Sequence, residues 1–140
     1  MERRDYLETQ IEQLALVLAN IFGMLTGNKV ANSEASDDSV SQALKEELGF
    51  NIDGLIDIGN DEFIDSLNRF NKFDSENFER LADILFLLAG QSGVTADDFK
   101  TRNLYSKALL LYKYLEQQDK MYSMQRDYKI NKILEQIDIQ

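Results

Sequence analysis

The chain contains no histidine and no cysteine, so proton transfer or nucleophilic attack would have to be built from Asp, Glu, Lys, Tyr, Ser or Thr. Thiol chemistry and Cys-ligated zinc or iron–sulfur sites are excluded on the same ground. Three groupings come nearest to a reactive constellation. Tyr128 and Lys132 stand in a Y-x-x-x-K spacing, but the Gly-rich strand-to-helix turn that a nicotinamide reductase needs is missing, and helical periodicity accounts for the pair. Asp53, Asp57, Asn60, Asp61 and Asp65 crowd together as calcium-loop oxygens do. No frame among them gives alternate oxygens with Gly at the sixth place and Glu at the twelfth, so capping and solvation explain them. The adjacent acids Asp37-Asp38, Glu46-Glu47 and Asp97-Asp98 point in different directions on a helix. A carboxylate-bridged metal bundle would add the Glu-x-x-His pattern, which this chain cannot supply. No catalytic, cofactor-binding or metal-ligating residue is expected, and no cofactor.

What remains to be positioned is apolar surface. A chain of 140 residues is long enough to bury about two-thirds of its unfolded surface in one domain without a disulfide or metal staple. A hydrophobic content of 44% excludes intrinsic disorder, which needs low hydrophobicity beside its charge. The net charge of −10 would repel a phosphate backbone, so no nucleic acid is expected as partner. That charge is unevenly spread. Residues 33–65 carry ten acids against Lys45 alone, whereas residues 100–140 carry eight bases against five acids. Either this is a solvated acidic face offset by a basic end, or the two regions are complementary, within one chain or head to tail between chains.

The spacing is helical nearly throughout. Leu7, Ile11, Leu14, Leu18, Ile21 and Leu25 recur at steps of four and three, with Val17 and Phe22 widening the stripe and Gly27-Asn28 as a stop. The apolar run here is preceded by Asp5, Glu8 and Glu12, unlike a secretory signal, and is too short to span a membrane. Residues 28–39 read as a polar loop. Val40, Ala43, Leu44 and Leu48 suggest a short helix capped near Ser36 or Asp37 and closed by Gly49. In "FNIDGLIDIGNDEF" a strand is an alternative, but Asp53 and Asn60 look like N-caps of two short helices, the second holding Phe63, Ile64, Leu67 and Phe70.

The segment "DSENFERLADILFLLAGQSG" predicts a central helix capped by Asp74 or Ser75 and stopped at Gly90. Phe78, Leu81, Ala82, Leu85 and Leu88 form one face while Ile84 and Leu87 lie on another. Thr95 and Asp98 are spaced as a variant capping box. At 100° per residue, Leu104, Ala108, Leu111 and Leu115 then share a face flanked by Tyr105 and Tyr112, and Leu110 and Tyr114 point nearly the other way. In the last helix Ile130, Ile133, Leu134 and Ile137 oppose Met121, Met124 and Tyr128, and "EQQDK" supplies the turn of an antiparallel hairpin.

Ala108 followed four residues later by Tyr112 resembles the small-then-aromatic pair of a tetratricopeptide repeat's second helix, over about 30 residues. The usual proline is replaced by Lys120, and no Trp-Leu-Gly-Tyr pattern precedes it. The stretches "RRDYLETQIEQLALVLA" at the start and "LLLYKYLEQQDKMYS" towards the end resemble a family of small, all-helical bacterial proteins of unknown function. That resemblance implies a helical fold and a cytoplasmic bacterial setting, with no activity to inherit. The expectation is one all-α domain, residues 1–140, a compact bundle of about five to seven helices ending in the repeat-like hairpin. Its expected function is non-catalytic: protein–protein interaction or self-association, with an unknown protein or a second copy as partner. Leu110, Tyr114, Met121, Met124 and Tyr128 are the candidate protein-binding residues. The alternative is a small carboxylate-based enzyme or ligand-binding bundle. A closed pocket lined by buried acids would favour the alternative, and a shallow Met- and Tyr-lined surface the interaction module.

Overall fold

Helix-forming stripes separated by short breaks fold as such stripes must, by burying their apolar faces against one another. The computed structural model describes residues 2–27, 37–49, 51–91, 99–118 and 123–138. Within them all regular structure is α-helical: α1 (Glu2–Gly27), α2 (Asp37–Leu48), α3 (Ile52–Asp57), α4 (Phe63–Asn68), α5 (Ser75–Gln91), α6 (Phe99–Gln118) and α7 (Met124–Asp138). The all-α expectation holds, and the segment from Ile52 to Asn68 is two helices rather than a strand. Of the loop expected over 28–39, Asp37–Ser39 form the first turn of α2, while residues 28–36, the cap at Ser36, the capping box at Thr95 and Asp98, and Met121 lie outside the described residues.

Because α5 is apolar on more than one side, it takes the central place, packing most extensively against α6 and α1. One contiguous cluster joins Leu14, Leu18 and Ile21 of α1 to Leu44 of α2, Leu55 of α3, Phe63 and Leu67 of α4, Leu81 and Leu85 of α5, Leu111 and Tyr112 of α6, and Ile133 of α7. The turn begins later than expected, since Glu116–Gln118 belong to α6; residues 119–123 separate α6 from α7, and Lys129 lies 5.9 Å from the Tyr112 ring centroid, so these two helices run antiparallel.

Polar side chains set the ends. Asp74 Oδ1 accepts from the Asn77 backbone N–H at 2.8 Å, the expected N-cap of α5. Gly49, at φ 89°, closes α2 in the left-handed conformation that glycine adopts without strain. Buried Asn77 donates through Nδ2 to the carbonyls of Ile11 at 3.0 Å and Lys72 at 2.8 Å, tying the start of α5 to α1.

Five local expectations are corrected here. The N-cap of α3 is Asn51, whose Oδ1 accepts from Gly54 N–H at 2.9 Å, and Asp53 sits inside the first turn. Asn60 caps nothing; its side chain is turned to Lys107. Gly90 lies within α5, which continues to Gln91, because Gln91 Nε2 donates to the Leu25 carbonyl at 2.9 Å and holds the last turn against α1. Phe22 is exposed rather than part of the buried stripe, and Phe70 follows α4 instead of lying in it.

Candidate functional site

Two charged side chains occupy stripe positions where the apolar pattern is interrupted. Lys107 stands three residues after Leu104 and four before Leu111, on the inward face of α6, and is only 2% exposed. Its Nζ donates to Asn60 Oδ1 at 2.6 Å and lies 5.5 Å from the Phe63 ring centroid, a cation–π arrangement. Burial pushes its ammonium pKa down from the ordinary value near 10.5, with the Asp57 carboxylate acting in the opposite direction. With Lys100 3.6 Å from Asp53, it also joins the acidic segment to the basic one within a single chain.

The unfolded chain keeps the Lys107 proton to higher pH than the native protein does. Stability is therefore expected to rise with pH in the alkaline range below about 10.5, where the unfolded lysine begins to lose its own proton. Lys107→Met is expected to abolish this rise and to stay within about 1.5 kcal/mol of the parent at neutral pH, since an apolar stem replaces a desolvated cation. Lys107→Ala, which leaves a void, should cost about 2–3 kcal/mol. Urea denaturation near neutrality and near pH 9 checks both; equal losses in the two variants, or a rise that persists in Lys107→Met, would refute the assignment.

The second interruption is Arg126, four residues before Ile130 and 5% exposed. Its Nη2 and Nε donate to Glu79 Oε1 and Oε2 at 2.8 and 3.4 Å, a two-point bridge from α7 to α5. One turn further along α5, Asp83 Oδ1 accepts from the Tyr112 hydroxyl at 2.5 Å and from Lys129 Nζ at 2.8 Å. The Tyr112 pKa is driven far above its ordinary range, first by burial, then by the Asp83 charge and hydrogen bond, with Arg126 opposing. Each acid of this network already serves a cation or a hydroxyl.

The cleft beside this network, about 510 Å3, is lined by Ser75, Glu76, Glu79, Arg80 and Arg126. Its two carboxylates face cations: Glu76 lies 3.7 Å from Arg80, and Glu79 holds Arg126. Among the described residues, no group of three or more acids comes together in a way that would hold a metal ion.

The candidate interaction residues separate into two sets. Leu110 and Tyr114 are half-buried and packed on the core, and the Tyr114 ring meets Phe78 edge-on with centroids 5.3 Å apart. Met124 and Tyr128, one turn apart on the outer face of α7, are 74% and 59% exposed and line a shallow groove of about 500 Å3 with Gln125 and Lys129. The Y-x-x-x-K pair is a surface contact there, with Lys132 Nζ 5.7 Å from the Tyr128 ring centroid. The Glu79–Arg126 and Asp83–Tyr112–Lys129 contacts were not predicted from the sequence. The available signal was a charge at a stripe position, Lys107 after Leu104 and Arg126 before Ile130.

No protein-family model, curated protein or solved structure matches the chain. The fold and its surfaces define a small all-helical protein, and among the described residues no helix is long and apolar enough to cross a membrane.

Proposed function

We propose that this protein is a non-catalytic helical module that binds another protein, or a further copy of itself, through an apolar strip on α7. The observation that carries this is the joint exposure of Met124 and Tyr128 on one helix face, since Met adapts to varied shapes and Tyr combines apolar area with a polar tip. Buried Ala108 and Tyr112 support reading the α6–α7 hairpin as resembling one tetratricopeptide unit whose outer face awaits a neighbour. A bacterial cytoplasmic setting goes with the family resemblance. A carboxylate-based site would draw on the cleft at Glu76 and Glu79, and the pairing of those acids with Arg80 and Arg126 favours the interaction module instead.

Exposed side chains contribute little to folding, so Met124→Ser with Tyr128→Ser should leave stability within about 0.5 kcal/mol of the parent. Association, measured by sedimentation of the purified chain and by pull-down from the native host, should be lost. Unchanged association in the folded double variant would overturn the proposal.

A further inference from the structure

Among the described residues, a second apolar surface lies open in addition to the first. Between α1 and α2 lies a groove of about 450 Å3 lined by Val17, Asn20, Ile21, Met24 and Ala43, with exposed Glu46 on its edge and Glu47, paired with Lys72 at 3.6 Å, behind it. Leu16, 70% exposed, stands one helical turn before the groove residue Asn20 and extends this apolar surface outward along α1. The α7 face presents exposed Met124 and Tyr128 beside its own shallow groove, with Lys129 bound to Asp83 and Lys132 over the Tyr128 ring.

We propose that the Met124–Tyr128 face of one copy seats in the α1–α2 groove of a second copy, joining chains head to tail. This names the partner for the α7 strip and rests on the interaction reading given above. Tyr128 and Met124 meet Val17, Met24 and Ala43, while Lys132 approaches Glu46. Charge decides which surfaces meet. Glu47 and Lys129 are already paired with Lys72 and Asp83, so the exposed charges that remain are Glu46 at the groove and Lys132 at the α7 face; pairing either surface with itself would bring like charges together, whereas each suits the other. A contact between two different surfaces leaves one of each free on the resulting pair, so association continues to a ring or an open chain.

Two surface variants of the full chain test this by analytical ultracentrifugation, with circular dichroism to confirm folding. The first, Met124→Asp with Tyr128→Asp, disables the α7 face. The second, Asn20→Arg with Glu46→Lys, disables the groove using exposed positions. The parent is expected to associate as concentration rises, and about tenfold or more weakly at high salt than at low. Each variant alone should be monomeric. An equimolar mixture should stop at a one-to-one dimer, because it retains a single intact contact. A parent that stays monomeric at every concentration overturns the self-partner, while the broader interaction reading stands if Met124→Ser with Tyr128→Ser loses a host protein in pull-down. Association lost only in the α7 variant, with no dimer in the mixture, overturns the head-to-tail contact but keeps α7 as an interaction face. Association surviving in both variants overturns this contact and the α7 strip together.

Discussion

Leu18→Asp is expected to abolish the native fold. Leu18 is wholly buried in the middle of α1, in the cluster that includes Leu14, Ile21, Leu81 and Leu85. Removing its side chain from packed surroundings costs about 2–5 kcal/mol, and an unpaired carboxylate there adds several more or takes up a proton. Together these reach the whole stability of an ordinary domain, about 5–15 kcal/mol. Circular dichroism should show loss of the cooperative melting transition. The competing possibility is that α1 is an arm serving only to dimerise, in which case Leu18→Asp would yield a folded monomer with unchanged melting. The hydrogen bonds from Asn77 to the Ile11 carbonyl and from Gln91 to the Leu25 carbonyl anchor α1 at two points along α5, and an arm would make neither. Leu16→Asp on the exposed side of the same helix is the matched control, expected to leave melting nearly unchanged.

Arg126→Ala should cost about 3 kcal/mol, at the low end for a broken buried pair because Glu79 is 31% exposed and regains water. For a chain of this size that lowers the melting midpoint by roughly 10 °C. The loss should be concentrated in α7, whose attachment to α5 runs through Arg126 and through Lys129 on Asp83, so α7 amides should exchange faster than those of α5 in native-state hydrogen exchange. Glu79→Gln alone should cost less, and the double variant should fall short of the sum, since the two residues share one interaction. Additive losses, or protection of α7 unchanged in Arg126→Ala, would show that the bridge does not hold the helix.

The helices themselves were readable because burial imposes a period. Leu14, Leu18, Ile21 and Leu25 form one stripe, and four inward positions there leave little freedom in which side of α1 is buried. Asp74 and Gly49 were readable as an N-cap and a closing residue because capping is local chemistry, completed within a few residues of the chain. The misses share a different cause. Asn60 looked like a cap and serves Lys107, 47 residues away; Gly90 looked like a stop, yet Gln91 reaches back to Leu25, 66 residues away. A local rule yields wherever a distant partner offers the polar group a better-satisfied arrangement.

The candidate strip divided along the same line. Angle on a helix places Leu110, Tyr114, Met124 and Tyr128 away from the main stripes, and that much follows from sequence alone. Whether a second face is covered depends on what packs beside it, which no single helix encodes. Phe78 meets Tyr114 and withdraws it toward the core, while Met124 and Tyr128 remain on the open side of α7. By itself, then, the sequence determined an all-helical chain, the inward stripe of each long helix, and the lack of His and Cys chemistry, because composition and 3.6-residue periodicity are properties of the chain alone. Only the tertiary structure decided that Lys107 and Arg126 are interior, that Glu79 and Asp83 are bound to α7, and that Met124 and Tyr128 are open. The environment of a charge or a second apolar face is set by neighbours brought together from far along the chain.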